Sequence, residues 1–478
     1  MKRCSNIKTT IKTETGSLFN TQTNLTRKNR TTGFPKLSGY QSTSQIAASP
    51  RRNAGDRSPS RKHRKESSAT TGGVASLGDD LLHEIFLRLP SLATLIRAAH
   101  TCRAWRRAVA SSWAFRRSFR ATHSAPLLGL YFDSIPGVVQ GLLNPARRTF
   151  PNFVPTRFAG RDQAAAVRGG DFLLTSLDDD GPHGWEIHDS RAGYLLLGHG
   201  DQETLCLLNP TAPRTRRFLG FSQKDIIDGH GGSPVVHKAC LLCSEEDPFS
   251  FRIFRVANDK SRARAAVFSS GTNEWSFYPW VGVQVPSVGG PSLFSKRSMQ
   301  SNGFLYWSHM YQKHVITLDP ATMRFSVTEL PLCLHRNCTF SIGETSSGES
   351  CIVYAAAGFG VGMFVSGGIS NDGVGKWVPH KRDNMQTELR RVLGTSEVCY
   401  DGMKVVAVRN GFAYLETSRR PSYSSIFPNW ILSLSLDTMK LDKLIVRACE
   451  SCYVHPYVMA WPSTLVGNYG SFALEYGT

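Results

Sequence analysis

Apolar positions between Ser76 and His123 recur at helical spacing, and after about Phe119 that rhythm gives way to short alternating or continuous apolar runs. In Ser76-Leu-Gly-Asp-Asp-Leu-Leu-His-Glu-Ile-Phe-Leu-Arg-Leu-Pro90, the residues Leu81, Leu82, Ile85, Phe86 and Leu89 form one stripe. Asp79, Asp80 and Glu84 lie near its N-terminus, where the helix dipole favours negative charge, and Pro90 stops it. Ser91 is placed to cap a second helix carrying Leu92, Leu95, Ile96 and Ala99. A third has Cys102, Trp105 and Val109 on one face and Arg103, Arg106 and Arg107 on the others. Three or four short helices are expected. A unit this small cannot enclose so many large apolar side chains, so part of its surface should meet a partner.

Downstream, one layout appears three times. Gly193-Tyr-Leu-Leu-Leu197 precedes Leu205-Cys-Leu-Leu-Asn209-Pro-Thr; Gly303-Phe-Leu-Tyr-Trp307 precedes Val315-Ile-Thr-Leu-Asp319-Pro-Ala-Thr; Gly411-Phe-Ala-Tyr-Leu415 precedes Ile431-Leu-Ser-Leu-Ser-Leu-Asp437-Thr. The glycines are 110 and 108 residues apart, and further pairs of apolar runs fall between them, including Phe251–Val256 with Ala266–Trp275. The underlying period of about fifty residues, with turns of Asn, Asp, Gly and Pro, suits propeller blades. Five units are clear. Residues 125–185 and the last thirty should complete a ring of six or seven; a β-sandwich with irregular repeats is the competing architecture. Cys351 to Ile369 is 19 residues long and uncharged, which matches a membrane helix in length, yet its five glycines favour two strands, Cys351–Ala357 and Gly362–Ser366.

The helical pattern carries a family resemblance. Leu77-x-Asp-Asp-Leu-Leu-x-Glu-Ile-Phe-x-Arg-Leu-Pro90, then Leu95, Cys102-Arg-Ala-Trp105-Arg-Arg and Phe115-Arg-Arg, resembles an F-box, the motif by which substrate receptors dock on the SKP-type adaptor of a cullin–RING ubiquitin ligase. It covers about a tenth of the chain. Gly78 stands where such motifs usually carry proline, and should loosen the first turn and weaken docking without abolishing it. The resemblance implies adaptor contacts from Leu77, Leu81, Leu82, Ile85, Leu89, Pro90, Leu95, Cys102 and Trp105. The repeats, and Ala125-Pro-Leu-Leu-Gly-Leu-Tyr-Phe-Asp133, resemble the kelch-like F-box-associated β-propeller domain of plant receptor families. The expected organisation is thus multi-domain: a basic tail at 1–75, a small all-α module at 76–123 and an all-β domain at 124–478. The function implied is a non-catalytic receptor that holds a target protein near the ligase; the alternatives are a propeller enzyme or carbohydrate-binding protein with an incidental helical segment, and an F-box protein acting outside a ligase.

Charge sharpens this. The net +19 would suggest a nucleic-acid partner, but residues 1–75 hold 15 Lys/Arg against 3 Asp/Glu while residues 124–478 hold 33 against 31. The body is nearly neutral, so neither nucleic acid nor membrane is expected as its partner. The tail, poor in large apolar residues, should be disordered. Within it Arg51-Arg52 and Arg61-Lys-His-Arg-Lys65 resemble a two-part nuclear-import signal, with a plain basic linker or a transit peptide as alternatives; nucleus, cytoplasm or both is the expected location.

The sequence offers little catalytic chemistry. There is no Gly-x-Ser-x-Gly elbow and no phosphate-binding loop. His188-Asp189-Ser190 reads as a turn, Gly358-Phe-Gly-Val-Gly362 as a blade turn, and Asp178-Asp-Asp180 as a solvated loop. Cys240–Cys243 and Cys449–Cys452 have the spacing of zinc ligands, but the first pair lies in an apolar stretch and both read as buried thiols. No cofactor is expected. Eleven cysteines without a disulfide-like pattern suggest a reducing compartment. Trp275, Trp280, Trp307, Trp377, Trp430 and Trp461 read as blade-core or rim aromatics.

Overall fold

The structure, a computed structural model, describes residues 77–123, 125–134, 150–156, 160–177, 184–200, 203–244, 250–259, 261–283, 298–308, 314–335, 338–369, 375–394, 400–419, 428–446 and 452–466. The basic tail, Asp178–Asp180 and Cys449 lie outside these residues.

Four helices come first: α1 Asp79–Leu87, α2 Leu92–Ala99, α3 Arg103–Ser111 and α4 Trp113–Thr122. Ser91 caps α2 as its sequence position requires, its Oγ accepting from Thr94 N at 3.3 Å while Thr94 Oγ1 accepts from Ser91 N at 3.2 Å. β1 (Leu127–Ser134) and β2 (Asn152–Pro155) then lead through α5 (Arg161–Gly169) into four-stranded antiparallel sheets. The first is β3 (Trp185–Arg191), β4 (Tyr194–His199), β5 (Thr204–Leu208) and β6 (Arg217–Gly220). After α6 (Gln223–Ile227) comes a sheet of β7 (Val235–Val236), β8 (Cys240–Cys243), β9 (Phe251–Asn258), β10 (Arg262–Ser269), β11 (Glu274–Phe277) and β12 (Val281–Gly282). β13 (Met299–Ser301), β14 (Phe304–Ser308), β15 (His314–Asp319) and β16 (Arg324–Glu329) form the next. They are followed by β17 (Thr339–Glu344), β18 (Ser350–Ala355), β19 (Gly360–Ile369) and β20 (Gly375–Asn384). After α7 (Gln386–Leu393), β21 (Tyr400–Arg409), β22 (Phe412–Arg419), β23 (Trp430–Ser435) and β24 (Leu441–Val446) make the last complete blade.

The final strand, β25 (Cys452–Val458), pairs with β1, and β1 pairs with β2, so the two ends of the β domain share one three-stranded blade. Six blades therefore form the propeller, and strand exchange closes the ring.

Hydrophobic clusters fill the spaces between neighbouring blades. Leu195 and Leu197 on β4 point toward the closing blade with Cys206, Leu208 and Tyr457, while Leu196 points the other way with Leu205, Leu207 and Ile253. Both faces of a blade are buried, which is why Leu195-Leu-Leu197 is apolar without alternation. The recurrent glycines sit in two-residue hairpins: Ala192-Gly193, Asn302-Gly303 and Asn410-Gly411 all have positive φ, as the type I′ turn demands. The span from Cys351 forms β18 and β19 with a short 3-10 turn between them, as read from its glycines. Among the described residues no helix is long and apolar enough to cross a membrane. α5, α6 and α7 depart from the all-β pattern expected after the helical module.

Candidate functional site

In the helical module the apolar stripe of α1 divides. Leu82 and Phe86 face inward and meet Leu92, Leu95, Ala99, Val109, Phe115 and Phe119. Phe86 lies edge-on to Trp105 at 5.4 Å and to Phe115 at 6.2 Å. Two polar ties lock the helices: His83 Nε2 donates to Ala108 O at 2.8 Å, and the buried Arg116 guanidinium donates to the carbonyls of Val109 and Ala110. With that side sealed, Leu81 (54% exposed) and Ile85 (44%) are left on the outer face, one turn apart. Pro90 is exposed, Leu77, Leu89, Cys102 and Trp105 are half-buried, and Leu77, Leu89 and Trp105 pack against the module's core.

The expected contact set is thereby corrected at two positions. Leu82 (2%) and Leu95 (0%) have no surface to offer and belong to the module's own core. Helical spacing alone could not separate them from Leu81 and Ile85, since the stripe is wide enough to serve two surfaces.

Gly78 caps α1 with φ −64°, and a Cβ there would meet nothing within 4 Å. That φ is the value proline imposes. Gly78→Pro is expected to stabilise the module by about 0.4–1 kcal/mol through the unfolded state, read as slower amide exchange in α1. Faster exchange in α1 would show that the first turn needs a glycine.

A second concentration of polar groups lies where the inner strands converge. Lys238 Nζ is 3.0 Å from Glu186 Oε2 and 3.5 Å from Asp133 Oδ2, and donates to Ile187 O at 3.1 Å. Burial works against the Glu186 charge, but hydrogen bonds from His188 and Lys238 outweigh it and bring its carboxyl down to about 2. Asp133 is the opposite case: burial dominates over the more distant Lys238, and its carboxyl is pushed up to about 6. Burial also pushes His188 down to about 4 despite Glu186. The ring is held neutral by its bonds, Nδ1 accepting from Ala239 N at 3.1 Å and Nε2 donating to Glu186 Oε1 at 3.2 Å.

His188, Asp189 and Ser190 are therefore not a turn, as sequence suggested; they belong to the innermost strand β3 and are buried. They do not converge either. Asp189 accepts from Leu241 N at 3.0 Å, from Gln300 Nε2 at 3.3 Å and from Arg409 at 3.4 Å, while Ser190 Oγ donates to Pro456 O at 3.3 Å. Across strands, their bonds run from His188 and Asp189 to the β8 segment, from Asp189 also to β13 and β21, and from Ser190 to β25. No side chain of the three bonds the side chain of another, so this triple has no triad geometry. Polar residues concentrated in one short stretch signalled a turn; their burial depends on strands from distant parts of the chain.

Cys240 and Cys243 sit three apart on β8 and so face opposite sides of the sheet, Cys240 toward Phe254 and Trp307, Cys243 toward Leu205 and Leu241. They cannot share one ion. Burial pushes both thiols up to about 12, which suits inert core positions.

Residues 74–121 match the family profile described as F-box-like. The helical module is an F-box-like domain. No match is found among curated proteins. Among solved structures the chain is similar to a protein of unknown function from Bacteroides caccae (9% identity over 59% of this chain and 88% of that one, TM-score 0.33). It is likewise similar to YCF48 from Cyanidioschyzon merolae (10%, 59% and 93%, TM-score 0.31) and to the β-propeller domain of Cps50 (Swd1) from Myceliophteria thermophila (8%, 56% and 87%, TM-score 0.29). The blade count rests on the strand pairing described above.

Proposed function

We propose that this protein is a substrate receptor of a cullin–RING ubiquitin ligase, its F-box-like domain docking on an SKP-type adaptor and its propeller, of the plant F-box-associated, kelch-like type, holding a target protein. The observation that carries the reading is the division of α1: Leu82 and Phe86 complete a closed core, yet Leu81 and Ile85 remain outside it. Adjacent exposed aliphatic side chains rimmed by polar residues suit a partner groove. The proposal includes Leu77, Leu89, Pro90, Cys102 and Trp105 as further adaptor contacts, in keeping with their being half-buried or exposed. A receptor of this kind accelerates transfer by raising the local concentration of a target lysine, and requires no catalytic side chain of its own. Nucleus, cytoplasm or both is the proposed location, in keeping with the basic runs of the tail.

The test is co-purification from cells. The adaptor should accompany the wild-type chain and fall at least a hundredfold with Leu81→Asp plus Ile85→Asp, because two charges would be placed in an apolar contact while the module's core is untouched. No adaptor with the wild type, or undiminished adaptor with the double variant, overturns the reading. Cullin in the same complex separates a ligase subunit from an F-box protein working elsewhere.

A further inference from the structure

The F-box-like domain does not close its core with its own residues alone. Beyond β25 the chain continues through Met459 and Trp461 into a 3-10 turn, Ser463–Leu465. Leu465 is fully buried among Leu82, Phe86, Leu95, Val109, Phe115 and Phe119, more than three hundred residues upstream. Trp461, expected from sequence to serve a blade, instead meets Phe119 edge to face at 5.9 Å and lies beneath the Arg120 guanidinium at 5.1 Å. Its Nε1 donates to Leu465 O at 3.2 Å, which fixes the bend that turns Leu465 inward.

The other end of the same segment is fastened to the ring. Met459 N donates to Pro126 O at 2.9 Å, and Ala460 packs against the hairpin glycine Gly193 so closely that a Cβ on that glycine would come within 2.4 Å of the Ala460 Cβ. Tyr457, on β25 itself, donates to Gly193 O at 2.7 Å. β25 is also the strand that closes the propeller. Residues 459–466 are thus a continuation of ring closure in one direction and part of the F-box core in the other.

We propose that this segment is a latch that makes the adaptor-docking surface conditional on a closed propeller. A chain whose last strand is not seated has no Leu465 in the module, and α1, which carries Leu81 and Ile85, rests on an incomplete core. Only a receptor with a finished target-binding domain would then present a firm docking face, so unfinished or damaged copies would not occupy the ligase. The coupling stands on packing alone; its consequence for adaptor binding rests on the function proposed above.

Hydrogen exchange on the full-length chain tests it. In Leu465→Ala with Trp461→Ala, amides of α1 to α4 should exchange at least tenfold faster while those of β14, β18 and β22 keep their wild-type rates. Adaptor affinity should fall at least tenfold, although Leu81 and Ile85 are intact. In the wild type under rising denaturant, β25 and α1 to α4 should lose protection together. The proposal is overturned if the double variant leaves α1 to α4 unchanged, or if those helices stay protected after β25 has opened. Failure of the wild type to bind any adaptor would remove the proposed function and leave these exchange results to judge the latch separately.

Discussion

Asp189→Ala is expected to lower the free energy of unfolding by about 3–5 kcal/mol, among the largest effects of any single substitution in the propeller. The Asp189 carboxylate, 7% exposed, joins β3 to the backbone of β8 through Leu241, to β13 through Gln300 and to β21 through Arg409. Alanine removes a buried acceptor from all three at once and leaves the Leu241 N–H without its partner. It also takes away a counter-charge from the partly buried Arg409 guanidinium, whose desolvation is then less well offset. Asp189→Asn keeps an acceptor but not the charge, and should lose less. Urea unfolding of the three proteins measures this. A loss below about 1 kcal/mol for alanine would mean that the blades are held by their apolar interfaces alone.

In Asp133→Asn, stability should fall by about 3 kcal/mol as pH drops from 6.5 to 4, whereas the wild type should change little over the same range on account of these groups. His188 is held at about 4 in the fold against an ordinary 6.5. Between those values the unfolded chain binds the proton and the native one does not, so acidification destabilises. Asp133 works in the other direction. With its carboxyl at about 6 in the fold against 3.8 outside it, the native state takes the proton first, and acidification from 6 to 3.8 stabilises. The two slopes oppose each other across nearly the same window. Asparagine at 133 removes one and leaves the His188 slope uncompensated. Glu186, held at about 2 against 4.5, contributes stability that is present above pH 4.5 and lost as pH falls through that lower window in both proteins. Denaturant titrations at pH 7, 5.5 and 4 report the difference. Parallel pH dependence in wild type and variant would show that Asp133 does not take up its proton in the fold.

Much of this architecture was legible because it is local. Pro90 and Ser91 mark a helix end and a helix start by their own backbone chemistry, and the hairpin glycines announce themselves because the type I′ turn excludes most other residues. What escaped was set by partners far along the chain. Whether Leu81 or Leu82 faces outward depends on where α3, α4 and Leu465 lie, and none of that is written in the stripe. The buried stretch of β3 is hard to read for a related reason. His188, Asp189 and Ser190 look like turn residues until strands from four other blades surround them. Sequence leaves the ring size between six and seven because the closing blade is assembled from 127–134, 152–155 and 452–458, segments from opposite ends of the β domain that carry none of the glycine-to-turn layout. α7 is hard to read from sequence although Gln386–Leu393 has helix-forming residues, since about two turns of amphipathic chain between strong strand signals resemble a loop.

Gly193, Gly303 and Gly411 occupy the same place in three repeats, with φ of 76°, 78° and 78°. Their surroundings differ. Around Gly303 a Cβ would find open space, at Gly411 it would press on the Ser346 backbone at 3.0 Å, and at Gly193 it would strike Ala460. Asparagine or aspartate can adopt such a φ, so position 303 is open to drift between those residues and glycine without disturbing a neighbour. Position 193 has no such latitude, because a side chain there would wedge the β3–β4 hairpin away from the segment that follows β25. Repetition set the three residues alike; the neighbours each has since acquired make them unequal in what they can become.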